Sequence, residues 1–348
     1  MKKIYKVLLV ASLVLCLMGC GNDDNKEIKA GYDCVVTQDY STALIHFQQA
    51  IDDGADIENA YRGMGLAYMG RGEYGKAINA FNSALSYAGL FPGKLEIDIN
   101  YYMATAYYKI GEYDKAIEIY DSIIAFSPKD IDSYYLRGSM KLNLGDLDGA
   151  RSDFDQAVKL SKNDFNLCID IYAEMLNTGY GEAGQTYLDI VLSGGYMDDI
   201  SAYNKGRLCY YQGEYSQAIN FLERAKKDDA SMDVIILLSE CYKLNGQYDY
   251  AAVIYNSYLA NEENPEIYNQ LGLCYVEQGD YESALQAFQS GIAVKVNNTC
   301  LQTLYLNEIA CYEYMHDYRT AREKLDEYLA VYPSTPLLEK ERAFLATR

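Results

Sequence analysis

The 348-residue chain has no tryptophan and only two histidines, and its 30 Lys and Arg are outnumbered by 50 Asp and Glu. A formal charge of −20 sets the whole body against nucleic acid, whose phosphates it would repel along its length. His46 and His316 lie far apart, and neither falls in a metal-ligand spacing or beside a recognisable nucleophile. Carboxylate pairs are plentiful, but a chain with 50 acids produces them by chance, so they are no evidence for acid–base catalysis. No catalytic residue, metal site or cofactor is therefore expected. CxxC is also missing, and the apolar run at 7–18, 12 residues long, is too short to cross a bilayer as a mature helix.

What is present is order. Tyr268, Leu271, Gly272 and Tyr275 sit at i, i+3, i+4 and i+7, on one side of a helix that Gly272 leaves flat. Gly279 then suits a left-handed turn, and Asp280 places a negative charge at the positive end of a second helix. Tyr281, Ala284, Leu285 and Phe288 repeat the stripe, and the small Ala284 lets the helices lie close as an αα-hairpin. An aromatic residue or Leu followed by Ala at i+3 recurs nine times: Tyr40/Ala43, Tyr74/Ala77, Tyr113/Ala116, Leu147/Ala150, Tyr180/Ala183, Tyr215/Ala218, Tyr248/Ala251, Tyr281/Ala284 and Tyr318/Ala321. The spacings run from 33 to 39 residues, and the position seven after each first member is always Phe, Tyr or Leu. An acid precedes that first member in seven copies, which accounts structurally for part of the negative charge.

The period and the pattern Tyr61-Met64-Gly65-Tyr68…Ala77…Phe81 resemble the tetratricopeptide repeat family, with Tyr or an aliphatic residue where the family's first-position Trp stands. The resemblance covers 28–333 and implies an all-α fold: a right-handed superhelical solenoid of about nine αα-hairpins. Residues 334–348, with Leu337, Leu338, Phe344 and Leu345, are expected to form an amphipathic C-terminal capping helix over the last hairpin.

Residues 1–19 read as an export signal, with Lys2, Lys3 and Lys6 before the apolar run. Leu17-Met18-Gly19-Cys20 resembles the lipobox of bacterial lipoproteins, which implies that Cys20 carries a diacylglycerol, whose two acyl chains, such as palmitate, hold the protein to a membrane. The alternative is an ordinary secretory signal in which Cys20 is incidental. The lipoprotein reading places the protein in the bacterial cell envelope, on the outer face of the cytoplasmic membrane or in the outer membrane, with 20–27 as a polar tether. Two insertions interrupt the period. One falls at 87–94, where Leu90 and Phe91 either fold back on the array or make a contact, and the other near 296–299. The fifth copy, with Thr178-Gly179-Tyr180-Gly181 at its turn, is the weakest and is where the array is expected to bend or flex.

Two look-alikes are set aside. Gly70, Gly72 and Gly75 spell GxGxxG, but that motif needs a preceding strand and these glycines belong to a repeat turn. Cys241, Cys274 and Cys311 hold one position in successive leading helices, about 10 Å or more apart, beyond the roughly 7 Å reach of a disulfide. They are expected to be small core residues.

The family resemblance also implies that the leading helices line a concave groove for a peptide or protein. By helical position that face includes Arg62, Tyr101, Tyr108, Lys109, Tyr135, Tyr203, Arg207, Tyr210, Tyr211, Lys243, Asn269 and Asn307, with Gln270 and Tyr314. Tyr and Arg are favoured interface anchors because each joins large contact area to a polar end. The expected function is a membrane-anchored scaffold without catalysis. The alternative is a surface lipoprotein that stacks tyrosine rings on carbohydrate, and an enzyme comes third because nothing convergent supports one; against any binding role, the tyrosines are simply half-exposed helix residues of a Tyr-rich chain.

Overall fold

Each copy of the pattern becomes two antiparallel helices. In a computed structural model, residues 26–89, 93–162, 164–193, 200–294, 300–332 and 334–348 are described. The proposed signal, Cys20, Leu90, Phe91 and the insertion at 296–299 lie outside them. Among the described residues there are 19 helices and no strand. The leading helices are α1 (Lys26–Val36), α3 (Ile57–Gly70), α5 (Lys94–Ile110), α7 (Ile131–Asn143), α9 (Phe165–Asn177), α11 (Ala202–Tyr211), α13 (Met232–Leu244), α15 (Pro265–Gln278) and α17 (Leu301–Tyr314). Their trailing partners are α2 (Tyr40–Asp52), α4 (Tyr74–Ser86), α6 (Tyr113–Phe126), α8 (Leu147–Leu160), α10 (Gly181–Ser193), α12 (Tyr215–Asp228), α14 (Tyr248–Leu259), α16 (Tyr281–Ala293) and α18 (Tyr318–Val331). A last helix, α19 (Pro336–Leu345), packs on α18.

The chain divides into two compact units, α1–α10 and α11–α19, after the fifth copy of the pattern. Within each, successive helices pack in order, and leading helices also touch one another, as in α1·α3, α7·α9, α13·α15 and α15·α17. The leading helices therefore form one continuous layer of a unit and the trailing helices the other.

The turn position obeys backbone sterics. Gly72, Gly111, Gly145, Gly179, Gly213, Gly246 and Gly279 all adopt positive φ, and Gln38 and His316 take the same conformation at φ 61°. After the turn, Asp39, Asp146, Asp280 and Asp317 cap the trailing helix by accepting from the backbone N–H three residues on. Glu73, Glu112 and Glu214 make no such bond, so at these positions only the favourable charge at the helix end remains.

The large side chain seven residues after the first member of each copy is the centre of the packing. Phe47, Phe81, Tyr120, Phe154, Tyr187, Leu222, Tyr255, Phe288 and Leu325 are all buried. Burying such a side chain contributes roughly 1.5–3 kcal/mol. The repeat alanines are fully covered except Ala183, in the weak fifth copy, which is half-buried. Cys241, Cys274 and Cys311 are buried free thiols, and burial pushes them up to about 12, 11 and 11 respectively.

At the C-terminal end, Leu338 and Leu345 of α19 cover Ile309, Ala321, Leu325 and Tyr328. Leu337 faces outward at 72% exposure, and Phe344 is also exposed. A ten-residue helix presents only one i, i+7 edge to its neighbour, and Leu337 and Phe344 each stand one residue, about 100°, off that edge.

Candidate functional site: the leading-helix face

Side chains one repeat apart meet across the leading helices. In the first unit Arg62 of α3 donates from Nε to Asp98 Oδ2 at 2.6 Å and from Nη1 to the Tyr32 hydroxyl at 2.9 Å. Its guanidinium lies 5.6 and 5.7 Å from the rings of Tyr32 and Tyr102. The Tyr101 hydroxyl of α5 bonds Asp130 and, at 2.7 Å, Ser133 Oγ, tying α5 to the start of α7. Burial, and then the bond to Asp130, raise the Tyr101 phenol. Ser139 of α7 donates to Glu174 of α9, whose carboxyl is raised by burial against that bond. Tyr32, Arg62, Asp98, Tyr101, Asp130, Ser139 and Glu174 thus connect five successive leading helices.

Beside this ladder the starts of α7 and α9 border an open cleft of about 470 Å³, lined by Lys129, Asp130, Ile131, Asp132, Ser161, Asp164, Asn166, Leu167 and Asp170. Four carboxylates and one ammonium give it a negative balance. Burial, and then the nearby Asp130, raise the Asp132 carboxyl.

In the second unit Arg207 of α11 donates from Nη1 to Asn204 Oδ1 at 3.0 Å and lies 5.7 Å from the Tyr203 ring. Asp233 of α13 is raised by burial, a shift that Arg207 opposes. Tyr210 packs between Tyr211 at 5.4 Å and Tyr215 at 6.1 Å, and burial pushes its hydroxyl up to about 12. Asn307 Nδ2 donates to Asn269 Oδ1 at 2.8 Å, and Lys243 Nζ to Glu240 Oε2 at 3.0 Å.

Of the residues expected to meet a partner, Arg62, Arg207 and Asn269 are buried, at 5, 6 and 7% exposure. Tyr101, Tyr108, Lys109, Tyr135, Tyr203, Tyr210, Tyr211, Lys243, Gln270 and Asn307 are half-buried, and Tyr314 is exposed and stacked on Tyr281 at 5.1 Å. Arg62 and Arg207, which helical position places on the face, are therefore covered by their neighbours. Arg62 holds three leading helices and two rings together from within, Arg207 bonds Asn204 and lies against Tyr203 within α11, and the half-buried side chains of the face are tyrosyl, lysyl and amide. Asp98, Asp130 and Glu174 were not singled out from the sequence. Their signal is separation: Arg62 and Asp98 are 36 residues apart, Tyr101 and Asp130 29, Ser139 and Glu174 35. Polar pairs spaced by about one repeat mark contacts between neighbouring hairpins.

Among the described residues no group of three or more His, Cys, Asp or Glu is placed to hold a metal ion, and no helix is long and apolar enough to cross a membrane.

Models of the tetratricopeptide repeat match residues 68–139 and 210–269, and a second such model matches 131–164 and 265–295, together just over half of the chain. Comparison with curated protein sequences finds no match. Among solved structures, a tetratricopeptide repeat protein from Parabacteroides merdae is 18% identical, with 83% of this chain and 100% of that one covered at a TM-score of 0.45. The human IFIT1 dimer with PPP-AAAA is 14% identical, covering 94% and 85% at a TM-score of 0.52. MamA from Desulfovibrio magneticus is 18% identical over 50% of this chain and 96% of that one, at a TM-score of 0.41. At 14% identity the likeness to the IFIT1 structure is one of fold alone.

Proposed function

The chain belongs to the tetratricopeptide repeat family, whose fold serves as a protein-interaction scaffold, and from that premise we propose that it holds a peptide or protein partner against its leading-helix face while tethered to a membrane. The observation that carries this reading is the cleft at the starts of α7 and α9, lined by Asp130, Asp132, Asp164 and Asp170, with the half-buried Tyr101 bonded to Asp130. Tyrosine supplies contact area at small entropic cost, and the carboxylates favour a segment rich in Lys and Arg. No catalytic step is assigned, because the face offers charge and rings without a nucleophile and base in register. The anchor is Cys20 after removal of 1–19, which places the scaffold on the outer face of the cytoplasmic membrane or in the outer membrane.

A photo-reactive phenylalanine at Tyr135 tests the face directly. Tyr135 holds the helix position that Arg62 and Tyr101 hold in the two hairpins before it, whereas Tyr250, 59% exposed on trailing helix α14, serves as the control. Crosslinking in intact cells should trap a defined protein from position 135 and not from 250. The D132K/D170K double variant should abolish that product; the same product from both positions, or its persistence in the variant, removes the reading. Cys20→Ser should in turn move the chain from the membrane to the soluble fraction, and retention at the membrane counts against the lipid anchor.

A further inference from the structure

The last hairpin, in the second unit, holds a smaller cavity. It has a volume of about 210 Å³, room for roughly seven waters, and is bounded by Tyr305, Glu308 and Ile309 of α17, Lys324, Glu327, Tyr328 and Val331 of α18, and Tyr332. Three of these walls are aromatic and already ordered against one another: Tyr328 and Tyr332 lie 4.7 Å apart between ring centres, and Tyr305 and Tyr332 6.4 Å. Glu308 is 3% exposed. Its Oε1 accepts from Gln289 Nε2 at 3.0 Å and lies 3.9 Å from Lys324 Nζ, too far for a hydrogen bond. Its Oε2 has no partner among the described residues. Lys324 lies closer to Glu327, at 3.4 Å, so the lining carries two carboxylates against one ammonium.

A buried carboxylate with an open oxygen stabilises a cation that donates to it, and tyrosine faces attract the same charge. We propose that this cavity binds a primary alkylammonium group, with its N–H donating to Glu308 Oε2 and its methylenes against Tyr305, Tyr328 and Tyr332. One positive charge cancels the excess charge of the lining. The exposed Val331, at 73%, and Glu327 mark the mouth through which the alkyl chain enters. The ammonium comes either from a free small amine or from a lysine side chain of a peptide. The site is separate from the cleft at α7 and α9 and does not depend on it.

Titration calorimetry of the full chain with n-butylammonium chloride, and with 1-butanol as the neutral counterpart, tests the proposal. Saturable heat with the ammonium and none with the alcohol is the expected result. E308Q keeps the shape of the side chain and should weaken ammonium binding at least tenfold; Y332A, which removes a wall, should do so without altering the buried acid. A second arm compares the blocked peptide Gly-Lys-Gly with its norleucine counterpart. Binding of the lysine peptide more than tenfold tighter than n-butylammonium assigns the site to a protein side chain, and comparable or tighter binding of the free amine assigns it to a metabolite. Absence of binding by both cations, equal binding of butanol by the unaltered chain, or unchanged affinity in a folded E308Q overturns it.

Discussion

Gly272 stands directly under the ring of Phe288: a Cβ placed on it would lie 2.3 Å from Phe288 Cε1. The same relation holds between Gly65 and Phe81, and Phe47 is enclosed by Gly31 and Gly63 from two successive leading helices. One aromatic ring thus fixes both its own hairpin and its junction with the next.

Gly272→Ala should therefore destabilise the second unit by ~1–3 kcal/mol, because the ring must leave its rotamer or the helices must part. Gly75→Ala is the contrast. Nothing lies within 4 Å of a Cβ there, and the change should be neutral or stabilising by up to ~1 kcal/mol through helix propensity. Urea unfolding of both variants gives the comparison, and equal effects would show that the ring contact does not govern packing.

The repeat turn provides a second test. Gln38 holds the left-handed conformation that glycine holds at seven other turns, so Gln38→Gly should stabilise by ~0.5–1 kcal/mol. His316→Gly should gain less, because His316 Nδ1 also bonds the Tyr318 hydroxyl at 3.0 Å. Thermal melts of the two variants should rank in that order; a loss in both would mean that the side chains matter more than the backbone.

These turns, the alanines and the large side chains at the seventh position were legible in the sequence because each recurs at the repeat period and rests on one residue's own backbone or on a contact that begins within its own hairpin. The chemistry of the leading-helix face was legible only in outline. Helical position placed Arg62 and Arg207 on it, but their burial depends on partners in neighbouring helices, such as Asp98, or on local geometry around Asn204. Ala183 shows the converse, since its spacing fits the pattern while the glycine-rich surroundings leave it half covered. The cavity around Glu308 had no sequence signal at all. An acid and a lysine sixteen residues apart are common in so acidic a chain, and only the fold brings three tyrosines around them.

Charge pairs separate by burial. Arg137 grips Asp153 with two bonds, at 2.9 and 2.5 Å, and reaches Asp121 with a third at 2.6 Å, while Asp153 is 3% exposed. Arg137→Met should cost roughly 2–3 kcal/mol, below the ~3–5 kcal/mol of a fully orphaned buried charge, because Lys141 Nζ remains 2.8 Å from Asp153. Lys115→Met breaks an exposed pair with Glu112 and should change stability by less than ~0.5 kcal/mol. Denaturant midpoints that fell equally in both would contradict this ordering.

The C-terminal helix carries part of the pH dependence, beside the raised carboxyls of Asp132, Glu174 and Asp233. Burial, and then the charge and hydrogen bond of Glu341 on α19, push the Glu313 carboxyl of α17 up from 4.5 to about 7. Such a carboxyl binds its proton more tightly folded than unfolded, so its favourable contribution is complete below about pH 4.5 and is lost as pH rises towards 7. Arg342 does not offset the change, since its Nε is held by Asp326 Oδ1 at 3.0 Å. Melting temperature should therefore fall between pH 5 and pH 8 in the unaltered chain, and Glu313→Gln, which keeps a hydrogen bond to Glu341 without the second negative charge, should flatten that slope. Hydrogen exchange should locate the loss in α19, with its amides less protected at pH 8 than at pH 5 after correction for the intrinsic rate. Equal slopes in the two proteins, or protection of α19 that does not change with pH, would mean that the two carboxyls do not share a proton across the end of the stack.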